Sequence, residues 1–166
     1  NIHPSAIVDP SVRLGRGATI GPFCVVERDV QLGEDCHLAA HVVVKHGTVL
    51  GPGNLVFEGA VLGGLPQHVN IPENPGRLTI GAGNTIRENV TFHRALQEDG
   101  ETVIGDNNLF MVNTHIAHDC RIGNHVILVN SVAIAGHCVI EDEVIVGGLS
   151  GVHQFVRLGR GAMIGR

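Results

Sequence analysis

Aliphatic residues recur at every sixth position along most of this chain. Ile2, Val8, Leu14, Ile20, Val26, Leu32, Leu38, Val44, Leu50, Val56 and Leu62 follow one another without a slip. The phase returns at Ile80, Ile86 and Phe92, then runs again from Ile104 through Phe110, Ile116, Ile134 and Val152 to Ile164. The residue after the aliphatic one is often glycine, as at Gly33, Gly51, Gly81, Gly105 and Gly123. The residue four places after it is mostly small or β-branched, as at Ala18, Val30, Val42, Ala60, Thr114 and Val132. A helix would repeat at about 3.6 residues and a simple strand at about 2. A period of six, with two inward residues, fits a short strand followed by a corner, with the turn expected at the glycine.

Three such units close a triangular coil of about eighteen residues, the arrangement of a hexapeptide β-helix. The expected fold is therefore all-β, a prism of about eight coils and roughly 40 Å in height at the usual spacing of stacked strands. It forms a single domain over residues 1–166. Residues 63–79, with Pro66, Pro72 and Pro75, and residues 94–103, with Glu98, Asp99, Gly100 and Glu101, carry no repeat. Both are expected as loops extruded from corners, where function commonly sits.

Composition narrows the function. The formal charge of −5 argues against a nucleic-acid surface. No apolar run is long enough to span a bilayer as a helix, and no secretory signal is legible. Five Phe and no Trp or Tyr are few rings for a globular core, which suits a prism filled with aliphatics. Cys24, Cys36, Cys120 and Cys138 all fall four places after an aliphatic position, so they read as small core residues. No CxxC pair occurs, and unpaired core thiols suit a reducing cytoplasm.

The histidines do not share one phase. With three units per coil and both loops treated as excursions, the units beginning at Phe92, Ile116, Ile134 and Val152 lie on one side in successive coils. They carry His93, His118, His137 and His153; His115 sits at the same corner as His118, and the loop bearing His68 leaves the same side. A column of this kind is the candidate site. A neutral histidine can take the proton of a hydroxyl attacking a thioester. Asp119, turned back at the corner, would orient His118. Gly136, one coil on, offers a backbone N–H to an oxyanion with no Cβ in the way. A metal centre needs three converging ligands, and Gln154 and Arg94 beside the column suit sugar and thioester recognition, so no metal site is expected. A non-catalytic or metal-binding prism remains as the alternative from another class.

The segments His115-Ile116-Ala117-His118-Asp119-Cys120, Ala135-Gly136-His137, Val152-His153-Gln154-Phe155 and Arg87 to Arg94 resemble the UDP-N-acetylglucosamine O-acyltransferases of lipid A biosynthesis. That resemblance covers the whole chain. It implies a left-handed helix, against the usual crossover rule, and a homotrimer without a cofactor. It also implies transfer of a 3-hydroxyacyl group from acyl carrier protein to the sugar 3-hydroxyl. By motif, His118 is the general base, Asp119 its orienting partner and Gly136 the oxyanion donor. Gln67, His68, Asn70, His93, His115, His137, His153 and Gln154 are then expected to line the substrate cleft.

Four departures qualify the resemblance. The family's loop reads Gln-Asp-x-Lys, whereas this one reads Gln67-His68-Val69-Asn70, so a carboxylate and an ammonium are both replaced. Asparagine cannot replace lysine electrostatically at a phosphate, which opens the alternative of another amino-sugar nucleotide. Ala95-Leu96 replaces Gly-Thr, so the second loop is expected to run differently. Arg166 stands at the family's acyl-length position, where a long side chain implies a shortened groove. The family continues into a helical C-terminal domain that supplies basic residues for the carrier protein, and that domain is not expected within residues 1–166.

Overall fold

A computed structural model describes residues 1–165; Arg166, the expected acyl-length residue, lies outside the described residues. The chain winds as a left-handed parallel β-helix. Twenty-four short strands form three parallel sheets of eight, so the prism has eight coils. Each strand lies on the one a coil earlier, as Val25 on Ile7 and Val43 on Val25. The aliphatic positions point inward: Leu62, Ile86, Phe92, Phe110, Ile116, Leu128 and Ile134 are fully buried in one continuous core. Phe92 and Phe110 meet edge to face, with centroids 4.9 Å apart.

The turn is not at the glycine after the aliphatic residue, as the repeat suggested. It lies two residues later, where the backbone takes positive φ at Phe23, Asp35, His41, Asn107, Asp119, His137 and Phe155 among others. That conformation costs a non-glycine residue about 1–2 kcal/mol, and coil stacking imposes it at nearly every corner. Glycine is needed earlier in the unit for a different reason. A Cβ on Gly105 would lie 2.3 Å from the Gly123 carbonyl oxygen, and one on Gly81 2.6 Å from that of Gly105. One edge of the prism is thus a glycine column that lets successive coils close together.

The strands also reach further into both excursions than the repeat indicates. Val61–Gly64 and Arg77–Ile80 leave 65–76 as the first loop, and Thr91–His93 and Glu101–Ile104 leave 94–100 as the second. The two lengthened strands Arg77–Ile80 and Glu101–Ile104 pair over four residues, so the loops leave neighbouring coils. Gly63, at φ +88°, breaks the register between Leu62 and Gly64 and starts the first loop.

Inside the prism runs a polar ladder that the period conceals. Asn54, Asn84 and Asn108 occupy the small inward slot in successive coils and are almost wholly buried. Asn84 donates from Nδ2 to Asn54 Oδ1 (3.0 Å) and the Gly105 carbonyl (2.9 Å), while its Oδ1 accepts from Asn108 N (2.9 Å). Asn108 Oδ1 closes the ladder by accepting from Val126 N at 2.7 Å. The same slot elsewhere holds the four cysteines, each donating to a carbonyl about a coil away, such as Cys120 to Ala135 at 3.0 Å. Burial pushes the Cys120 thiol up to about 12, so it stays protonated and behaves as core.

Replacing Asn84 by Leu keeps the volume but leaves the Asn108 N–H and Gly105 carbonyl unpaired in a dry interior. At roughly 1–3 kcal/mol for each stranded group, the expected loss is about 2–6 kcal/mol, read as a lower urea midpoint with an unchanged m-value.

Candidate active site

One sheet carries the site. Thr91–His93, His115–Ile116, Ala133–Ile134 and Gly151–Val152 are consecutive strands in it, one coil apart. The outward positions along this sheet are Thr91, His115, Ala133 and Gly151 in successive coils. From His115 onward the side chains shrink, so the surface opens into a groove. The groove encloses about 610 Å³ and is lined by Gln67, His68, His115, His118, Gly136, His153 and Gln154, over a floor of Ala133, Ile134, Ala135 and Gly151. Its floor is apolar, and His118 and His68 meet edge to face at one end.

At that end, the corner after Ile116 turns His118 and Asp119 toward each other. His118 Nδ1 lies 2.7 Å from Asp119 Oδ2, with His118 only 8% exposed. An ionised carboxylate only accepts, so Nδ1 carries the hydrogen and Nε2 is left as the acceptor. Asp119 is held in turn. Its Oδ2 also accepts from Leu96 N at 3.1 Å, and its own N–H donates to Thr102 Oγ1 at 2.9 Å. The second loop therefore fixes the carboxylate that fixes the imidazole.

Gly136 packs directly on that imidazole. A Cβ there would lie 2.8 Å from both His118 Cε1 and Nε2. The Gly136 carbonyl accepts from Phe155 N at 3.1 Å, whereas its N–H has no backbone acceptor among the described residues. An unpaired N–H beside the base is what an oxyanion needs.

The other histidines form two groups rather than one column. His93 and His115 meet edge to face at 4.6 Å, and His115 Nδ1 pairs with Thr91 Oγ1 at 2.7 Å. Burial lowers the His93 pKa to about 4, assisted by His115 and His118, and burial also lowers that of His115. Both rings are neutral near pH 7. His68 and His137 flank His118 with centroids 5.8 and 5.1 Å away. His137 stacks flat on Phe155 at 4.7 Å and 6°, and its Nε2 is 3.9 Å from Asp119 Oδ2. His153 and Gln154 are exposed at the groove's rim.

Three expected residues sit differently, and the first is His137, which flanks His118 but is not part of the groove lining. The Asn70 side chain does not line the groove; its backbone N–H and its carbonyl oxygen both lie 3.1 Å from His68 Nδ1. His93 lies beneath the groove, its Nδ1 buried without a partner. Sequence reasoning missed Thr91, Leu96, Thr102 and Phe155. Phe155 was accessible to it, because it occupies the corner slot one coil beyond His137. Leu96 acts through a loop N–H and carries no side-chain signal.

A stacked six-residue repeat with a His–Asp pair beside a free N–H places the chain among the hexapeptide-repeat prisms. Residues 101–136 match the family described as "Bacterial transferase hexapeptide (six repeats)". The chain is 50% identical to the acyl-[acyl-carrier-protein]–UDP-N-acetylglucosamine O-acyltransferase of Rhizobium johnstonii, over 99% of this chain and 61% of that protein. The protein of the same name from Rhizobium etli is 52% identical over the same shares. Among solved structures, LpxA from Acinetobacter baumannii superposes with a TM-score of 0.91 at 42% identity, over 98% of this chain and 66% of that one. The Arabidopsis UDP-N-acetylglucosamine acyltransferase gives 0.84 at 36%, over 98% and 65%. The chain belongs to the UDP-N-acetylglucosamine O-acyltransferase family. It spans about three fifths of the length of the curated relatives it matches.

The depressed His93 pKa predicts a pH dependence. Between about 6.5 and 4 the unfolded chain binds a proton that folded His93 does not, so stability is complete above that window and falls as pH drops through it. The loss is on the order of 1–3 kcal/mol. His93→Gln, which cannot titrate, is expected to flatten the melting temperature between pH 6.5 and 4 relative to the parent protein.

Proposed function

We propose that this protein transfers a 3-hydroxyacyl group from acyl carrier protein to the 3-hydroxyl of UDP-N-acetylglucosamine, the opening reaction of lipid A biosynthesis. The observation that carries this reading is the His118–Asp119 pair at 2.7 Å with Gly136 packed against it. His118 Nε2 takes the hydroxyl proton as the sugar oxygen attacks the thioester carbonyl. The Gly136 N–H receives the charge that develops on the carbonyl oxygen. The tetrahedral intermediate collapses, the carbon–sulfur bond breaks, and the carrier thiolate takes the proton back from His118. Asp119 stabilises the imidazolium between those steps.

The remaining residues divide by position. Gln67 and His68, on the first loop, flank the base and suit the sugar; His153 and Gln154 suit the phosphopantetheine arm at the rim. His115 shapes the wall, and His137 flanks the base without lining the groove. The apolar floor running to Gly151 suits the acyl chain. Arg166 is the expected limit on its length. On the outer face of another sheet, Leu109, Ile127, Ile145 and Met163 stack in register, with Met163 75% exposed. That stripe supports assembly as a homotrimer. Free buried thiols support a reducing, cytoplasmic setting. Among the described residues no helix is long and apolar enough to cross a membrane. The second reading, another amino-sugar nucleotide, rests on His68 and Asn70 in place of a carboxylate and a lysine.

With loaded carrier protein and a panel of UDP-sugars, UDP-N-acetylglucosamine is expected to be the best acceptor. His118→Ala should lower kcat by about 10²–10⁴, the usual worth of a general base, with little change in KM. Undiminished transfer by this variant would remove the mechanism, and a faster sugar elsewhere in the panel would favour the second reading.

A Cβ on Gly151 meets nothing within 4 Å, so Gly151→Leu has no steric cost to the fold. It should leave the melting temperature unchanged while raising the KM for long acyl donors more than for short ones.

A further inference from the structure

The groove contains more metal-binding chemistry than general-base catalysis requires. His118, Asp119 and His137 each offer a ligand atom, and all three atoms lie within 4.8 Å of one another. His118 Nδ1 is 2.7 Å and His137 Nε2 3.9 Å from Asp119 Oδ2. Ligands placed about 2.0–2.1 Å from a tetrahedral Zn²⁺ are about 3.3 Å apart, a value these two separations bracket. The third separation is no more than 4.8 Å, and the His137 side chain is 40% exposed. His68, edge-on to His118 at 5.8 Å, stands nearby as a fourth donor.

We propose that these three side chains form a site for a divalent transition-metal ion, with Zn²⁺ the best fit, and that its occupation switches the base off. Two imidazoles and one carboxylate suit zinc, whereas Mg²⁺ prefers an octahedral shell of oxygens. The chemistry follows from which nitrogen is used. In the metal-free pair Nδ1 carries the hydrogen and Nε2 is the base. A metal ion bound at Nδ1 replaces that hydrogen, and the proton resides instead on Nε2. The ring remains neutral but now presents an N–H where it must accept one, so the sugar hydroxyl has no base. The Asp119 carboxylate, drawn to the metal, ceases to orient the ring. The metal is thus an inhibitor and takes no part in the transfer.

The site itself stands on geometry; the inhibition rests on the function proposed above. The two are separated by measuring binding first. The full chain, stripped with chelator, is titrated with Zn²⁺ against a chromophoric competitor, and with Co²⁺ for its visible ligand-field bands. One ion per chain with tetrahedral Co²⁺ bands is expected. Asp119→Asn and His137→Ala should each weaken binding by at least about tenfold, while His125→Ala, at an exposed corner elsewhere, should not. Zinc affinity equal in all three variants and the parent would overturn the site. If transfer activity is present and persists at saturating Zn²⁺, the blockade is overturned; loss of activity restored by chelator, with Mg²⁺ without effect, supports it. A protein that binds zinc as expected but transfers no acyl group would leave the metal site standing and remove the function instead.

Discussion

Parallel stacking in register is the constraint on which everything else in this protein depends. A strand only two residues long cannot hold itself in place; it is held by the strand one coil before and one coil after, as Val25 is held between Ile7 and Val43. That arrangement forces the coils to approach closely, and close approach determines which residues are allowed where. It requires glycine along one edge, small residues in the inward corner slot, and a left-handed turn at nearly every corner. Positive φ at Asp119 and His137 is therefore a property of the scaffold. It does not mark these residues as special, although elsewhere a non-glycine residue in that region would invite the inference.

The same stacking builds the site from few parts. His118 and Asp119 are adjacent in sequence, and in an ordinary strand their side chains would point to opposite faces. The corner turns both to one side, and the next coil sets Gly136 against the ring. The loops add what the repeat cannot supply. A loop N–H at Leu96 and the Thr102 hydroxyl on the lengthened strand after it lock Asp119, and Asn70 locks His68 through its backbone. Half-buried, neutral His93 and His115 pack edge to face, with His93 one coil before the base.

The architecture was legible in the sequence because a six-residue aliphatic period over so much of the chain is compatible with few folds. Its translation into residue positions was less complete. Glycine was visible, but its reason was misassigned: it serves close approach of coils, and the turn lies two residues later. Period alone could not reveal that Asn54, Asn84 and Asn108 substitute a hydrogen-bonded ladder for aliphatic filling. The His118–Asp119–Gly136 constellation was legible because eighteen-residue stacking places Gly136 over His118. The division of the histidines into a half-buried pair and an exposed set was not, because ring orientation and burial depend on Thr91, the loops and Phe155.

The corner slot that holds Asp119, His137 and Phe155 in successive coils has one consequence for how such a protein can change. The backbone there is nearly the same for a carboxylate, an imidazole and a phenyl ring. A functional group can thus be exchanged, or relocated to the neighbouring coil, without remodelling the chain that carries it. Relocation is not continuous, however. It proceeds in increments of one coil, about 4.8 Å along the axis, so the distances between reacting groups and any wall that limits a bound chain form a discrete set. Specificity in this architecture is adjusted like a ladder with fixed rungs, and a molecule of intermediate length is accommodated only by the loops.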